Sequence, residues 1–133
     1  MRILVCGSRE FTNYELLYSV MEAVRTFYPL QEIVIIHGAA RGADMLADKA
    51  GRALGYDVVS FPANWAQHGK RAGIIRNQQM LDEGDPDLVI AFTPTAEYTP
   101  GTGDMVQRAQ KAGIPVIHIR ERGREPVADR PAS

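Results

Sequence analysis

His37-Gly38-Ala39-Ala40-Arg41-Gly42-Ala43-Asp44 lies between the most hydrophobic strand-like run of the chain and a run of helical period, and reading it as a strand-to-helix turn decides the fold. Upstream, Glu32-Ile33-Val34-Ile35-Ile36 is β-branched and nearly all apolar, the pattern of a strand buried on both faces of a parallel sheet. Downstream, Ala43, Leu46, Ala47, Ala50 and Leu54 recur at three and four residues, with Gly55 where a helix C-cap is expected. Gly38 and Gly42 remove side chains, so that backbone N–H groups can approach a ligand, and Arg41 carries a planar fork suited to phosphate. The same two glycines also suit a tight turn that binds nothing.

Working outward, Arg2-Ile3-Leu4-Val5-Cys6 is a first strand delivering Gly7-Ser8-Arg9, a second candidate anion contact. Thr12-Asn13-Tyr14-Glu15 has capping-box spacing, with Phe11 and Leu16 as its hydrophobic staple. Leu17, Val20, Met21, Val24 and Phe27 then form an apolar stripe, predicting a helix to about Tyr28 that Pro29 stops. Asp57-Val58-Val59-Ser60-Phe61 reads as a third strand. Residues 62–73 read as a long polar loop, a lid or ligand wall with the sole tryptophan, Trp65, and with His68, Lys70 and Arg71. A helix is predicted over 73–83, ending at Gly84, then a strand over 87–92 and a turn-rich loop over 93–103. A short helix over 104–111 and a strand over 114–119 complete the pattern. Asp44 and Asp104 would then both sit at helix N-termini, where the dipole stabilises a carboxylate. Residues 120–133 mix charges, prolines and small residues without period and read as a disordered tail after one domain over 1–119.

Strands alternating with helices imply an α/β fold, a Rossmann-like three-layer sandwich around a five-stranded parallel sheet. Right-handed crossovers give the order 3-2-1-4-5. The order reverses between strands one and four, and ligands bind at such a point beyond the carboxyl ends of the strands. The loops after strands one, two and four converge there.

The 133 residues suit one domain with a core that needs no metal or disulfide. Fifteen Lys and Arg against sixteen Asp and Glu leave a net charge of −1, without the basic excess of a sequence-blind nucleic-acid binder. One cysteine, Cys6, excludes an internal disulfide. With neither a signal peptide nor a long apolar span, a cytoplasmic protein without a membrane partner is expected. His37, His68 and His118 are scattered without metal-ligand spacing, and no metal or cofactor is expected. His37 ends a buried strand and reads as a hydrogen-bonded core residue.

Gly7-Ser8-Arg9, the stretch from His37 to Asp44, Arg76-Asn77-Gln78-Gln79-Met80-Leu81 and Gly101-Thr102-Gly103-Asp104-Met105 together resemble the YspA/YpsA-related branch of the SLOG superfamily. The resemblance covers about residues 1–119. Relatives include the Lonely Guy phosphoribohydrolases, which cleave the N-glycosidic bond of nucleoside monophosphates, and DNA-processing protein A, which binds single-stranded DNA. The resemblance implies a Rossmann-like fold and a site for a nucleotide or nucleotide-derived ligand. Joined to the glycines and cations of the segments that converge at the sheet edge, the expected ligand-binding set is Gly7, Ser8, Arg9, Gly38, Arg41, Gly42, Lys70, Arg76, Gly101, Thr102 and Gly103. Gly101-Thr102 matches the Gly-Thr of the hydrolase signature Pro-Gly-Gly-x-Gly-Thr-x-x-Glu, and Arg76 falls where those enzymes keep an arginine. The signature glutamate is Met105 here, so binding or sensing is favoured over catalysis. The hydrolase alternative would use Arg76 and Asp104 as catalytic groups, although a one-residue shift on a helix turns a side chain by about 100°. A single-stranded DNA binder is the other alternative, and pairing of copies through helices is a further expectation.

Overall fold

Ile3 and Val5 point to one face of the first strand and Leu4 and Cys6 to the other, and both pairs are buried, so the sheet is covered on both sides. The computed structural model describes residues 1–121, and from residue 122 onward the expected tail lies outside the described residues. The strands are β1 (Arg2–Gly7), β2 (Val34–His37), β3 (Asp57–Ser60), β4 (Leu88–Thr93) and β5 (Val116–Arg120). All pairs are parallel and the order is β3-β2-β1-β4-β5, as the crossover rule requires. Ile3 is opposite Ile35 on β2, and Val5 is opposite Ile90 on β4. Every residue of β4 is buried, as its continuous apolar run demands.

Helices α1 (Tyr14–Phe27) and α2 (Ala43–Ala53) cover one face. Leu17, Met21, Ala47 and Ala50 pack there on Ile3, Val5, Ile35, Ile90 and Phe92. The single-turn helix α3 (Trp65–His68) leads through a 3-10 turn (Gly69–Arg71) into α4 (Ala72–Gly84), and α5 (Pro100–Lys111) follows β4. Met80, Met105, Val106 and Ala109 of α4 and α5 fill the second core over Leu4, Cys6, Ile36, Val89 and Ala91. No helix among the described residues is long and apolar enough to cross a membrane.

Six local expectations are corrected. Asn13 caps α1, its Oδ1 accepting from Leu16 N at 3.1 Å. Glu15 therefore sits one position too early to close a capping box. Phe27 overhangs the core edge and is exposed, so the apolar stripe ends at Val24. The loop over 62–73 contains helical turns, because Asn64 Oδ1 accepts from Gln67 N at 3.0 Å and starts α3. Asp85, not Gly84, takes the left-handed conformation after α4, with φ +49°; aspartate tolerates it better than most residues. Finally, α5 starts at Pro100, four residues before Asp104. Proline fits the first helical position, where no N–H is needed, and the two glycines that read as loop are carried into the helix behind it. At the other edge β5 runs to Arg120, and Glu121 N donates to Thr93 O at 3.1 Å, so pairing continues past residue 119.

Candidate functional site

Gly42, the N-cap of α2, has φ +82° and ψ −128°. A Cβ there would overlap Ser8 O and lie 2.6 Å from Arg9 Cα, so glycine lets the β2–α2 turn press against the β1–α1 loop. Ala43 N donates to Ser8 O at 3.2 Å across that contact. Gly38 has a different cause: the space of its missing Cβ is filled by the Arg76 guanidinium. Arg76 Nη1 donates to Gly38 O and, at 3.4 Å, to Phe61 O, while Nε donates to Asn77 Oδ1 at 3.1 Å.

The N–H groups of this turn face a protein anion. Gly38 N and Ala40 N both donate to Asp44 Oδ2, at 3.1 and 3.2 Å. Burial pushes the Asp44 carboxyl above the ordinary carboxylate range, opposed by the Ala40 N–H, His37, Arg76 and the Gly38 N–H. Arg41 points out to solvent, its side chain 74% exposed, and pairs with exposed Glu10 at 3.1 Å. Buried His37 accepts from Ala39 N at Nδ1, 3.0 Å, so its proton sits on Nε2, which donates to Asp48 Oδ2 at 2.7 Å. Asp48 Oδ1 accepts from Arg52 Nε at 2.7 Å. The Arg52 hydrogen bond, helped by His37, holds the Asp48 carboxyl below its usual range. A depressed carboxylate adds stability above its unfolded pKa, and this is lost as pH falls through the folded value. Asp48→Asn is therefore expected to lower Tm at pH 7 by a few degrees, about 1 kcal/mol, with the gap to wild type closing in acid. Melting curves from pH 7 down to pH 3 check this.

Beyond the C-terminal ends of β1 and β4, where the strand order reverses, lies a cleft of about 460 Å³. Gly7, Ser8 and Arg9 come to it from the β1–α1 loop, and Lys70 and Arg76 from the segment entering α4 and from α4 itself. Gly101 and Thr102 come from the first turn of α5. Its floor includes Cys6, Met80 and Met105. Burial, with the Asp44 charge added, drives the Cys6 thiol strongly upward, so it stays protonated. Trp65, 52% exposed, stands between this cleft and an adjoining groove lined by Gly38, Arg41 and Pro62.

The helix N-terminus open to the cleft is that of α5. Thr99 makes no side-chain cap, its Oγ1 donating instead to Thr102 Oγ1 at 3.1 Å. First-turn N–H groups such as those of Gly101 and Thr102 have no intrahelical acceptor, and the dipole favours an anion beside them. Asn77 fastens this turn to α4: its Nδ2 donates to Gly101 O at 3.3 Å and Asp104 Oδ2 at 3.0 Å.

Seven of the expected ligand residues thus line one cleft: Gly7, Ser8, Arg9, Lys70, Arg76, Gly101 and Thr102. Gly38 and Arg41 line the adjoining groove, Gly42 backs the β1–α1 loop, and Gly103 lies against Tyr98. Asp104 is not brought to the cleft. It sits in the second turn of α5, accepts from Arg108 Nε at 2.9 Å, and lines a separate groove between α4 and α5. Asp44 and Asn77 are cleft residues absent from the expected ligand set. Both stand inside motifs that carried the resemblance, so their sequence neighbours were the available signal.

Fold and cleft together define a Rossmann-like α/β domain with its candidate ligand site at the switch point. Residues 1–68 match the family described as YspA, cpYpsA-related SLOG. The chain is 38% identical over 128 residues to the Gene 61 protein of Mycobacterium phage D29, a match spanning 91% of this chain and 98% of that protein. It belongs to the YspA, cpYpsA-related SLOG family. Its fold is also that of DNA processing protein A from Streptococcus pneumoniae, with a TM-score of 0.70 at 19% identity. That match covers 96% of this chain but 53% of the larger protein, so the chain spans about half of that relative's length.

Proposed function

We propose that the cleft binds a nucleotide or a nucleotide-derived small molecule, with its phosphate held by Arg9, Lys70 and the first turn of α5 and its base beside Trp65. One observation carries this reading: Arg9, Lys70 and Arg76, an uncapped helix N-terminus and a half-exposed indole all line one cleft. Guanidinium, ammonium and first-turn N–H groups suit phosphate oxygens, and an indole offers a stacking face. A volume of about 460 Å³ suits a single small ligand. Binding or sensing is preferred to N-glycosidic hydrolysis because the position of the signature glutamate is held by Met105, while Asp104 is engaged by Arg108 outside the cleft.

Calorimetric titration with nucleoside monophosphates and with oligothymidylates of increasing length tests the reading. Saturable binding of a monophosphate without release of free base is the expected result. Affinity that rises with oligonucleotide length and falls steeply with salt would replace it by the nucleic-acid reading, which the name of DNA processing protein A suggests. Arg9→Ala and Lys70→Ala are each expected to weaken monophosphate binding by about 1.5–3 kcal/mol, the range for a hydrogen bond to a charged group. Arg41→Ala, outside the cleft and paired with exposed Glu10, is expected to change affinity by less than about 0.5 kcal/mol.

A further inference from the structure

Asp44 has more acceptor capacity than the turn it holds requires. Oδ2 alone accepts from both Gly38 N and Ala40 N. Among the described residues no donor reaches Oδ1, although the residue is only 7% exposed. No fully sealed side-chain nitrogen or oxygen among them lacks a partner, so Oδ1 keeps an open edge, and the space that Asp44 lines is the cleft. Arg76 stands close enough to interact electrostatically with Asp44. Its Nη1 and Nε are engaged by Gly38 O, Phe61 O and Asn77 Oδ1, and among the described residues Nη2 has no acceptor. The cleft therefore presents an open carboxylate oxygen in the neighbourhood of an open guanidinium N–H.

The phosphate of a nucleoside monophosphate is mostly a dianion at pH 7.5, with acceptor oxygens alone, and is repelled by a carboxylate. A sugar hydroxyl suits both groups, since its O–H donates to the carboxylate and its oxygen accepts from the guanidinium. We propose that Asp44 Oδ1 accepts a hydrogen bond from a ribose hydroxyl of the bound ligand, which makes the cleft selective for ribonucleotide small molecules. This rests on the nucleotide reading above and narrows it. Inorganic phosphate has no sugar to offer, and a DNA strand lacks the 2′-hydroxyl and has its internal 3′-oxygens esterified.

The test compares the wild-type protein's affinity for the four common ribonucleoside 5′-monophosphates, their 2′,3′-dideoxy counterparts and inorganic phosphate, by calorimetry at pH 7.5. Removal of the diol is expected to weaken binding by about tenfold or more, because a charged acceptor is left without its donor. In Asp44→Asn the amide oxygen can take over the Gly38 and Ala40 N–H groups and turn the NH2 to the cleft. The ribo-to-dideoxy ratio is then expected to fall to about twofold or less, while phosphate is bound no worse. Tm of the variant is read alongside, and if it fails to fold the wild-type ratio alone decides. Equal affinity for ribo and dideoxy ligands in the wild type overturns the role of Asp44 and leaves the nucleotide reading standing. An unchanged ratio in folded Asp44→Asn also overturns it, making Asp44 a turn residue only. Absence of binding to every monophosphate overturns both readings together.

Discussion

Gly42→Ala is expected to lower Tm by on the order of 15 °C, the shift that about 4 kcal/mol produces in a domain of this size. Two independent costs add at this position. The backbone, at φ +82° and ψ −128°, lies outside the wells of an L-residue, a strain of about 1–3 kcal/mol. The new Cβ would also overlap Ser8 O and approach Arg9 Cα to 2.6 Å. These are backbone atoms with no rotamer to change, so the β1–α1 loop itself has to move, at a further cost of about 1–3 kcal/mol. Gly55 is the control: its φ is +79°, but nothing lies within 4 Å of its Cβ direction. Gly55→Ala should therefore cost only the conformational strain, about 1–2 kcal/mol. Differential scanning calorimetry of both variants separates clash from strain. The same displacement moves Ser8 and Arg9, so Gly42→Ala protein held folded at low temperature is expected to bind monophosphates more weakly than wild type.

The contrast between Gly42 and Gly38 shows how far the sequence could be read. Strand order followed from local signals, because the run from Leu88 to Phe92 is apolar throughout and a strand buried on both faces leaves that mark. The turn of Gly38 and Gly42 was legible as a turn, but what its glycines make room for was not. Gly38 is determined by Arg76, 38 residues away, through a contact that no local pattern encodes. Similarly, the N–H groups that look like an anion cradle are satisfied by Asp44, a residue of the same motif. The start of α5 was hidden because Pro100, Gly101 and Gly103 are loop residues by propensity, whereas proline at the first helical position is a start signal. That misreading fixed the view of Asp104 as well. Once the helix begins at Pro100 with Met105 facing the core, the preceding residue points about 100° away, toward Arg108.

Met105→Glu, which would restore the signature glutamate, is for this reason expected to destabilise the protein rather than create a hydrolase. Met105 is 1% exposed and packs in the second core with Cys6, Met80 and Ile36, only its edge reaching the cleft floor. Glutamate there loses the thioether packing and puts a carboxyl among apolar neighbours, where burial raises its pKa. A group whose folded pKa exceeds its unfolded value contributes most favourably below the unfolded value, about 4.3 for glutamate, and stability is lost as pH rises through the folded value. The deficit against wild type should therefore be smallest near pH 4 and grow toward pH 8. A raise of about three units corresponds to about 4 kcal/mol at the alkaline end. Melting curves of the two proteins across this range give the slope, and chromatography of a nucleoside monophosphate incubated with the variant gives base release, expected to stay at the wild-type level. A variant that melts as wild type does at every pH would mean that the carboxylate has reached the cleft and is solvated or paired with Arg76. Only in that event does the missing glutamate become the reason for a lack of hydrolysis; a steep pH slope instead assigns Met105 to the core that supports the binding cleft.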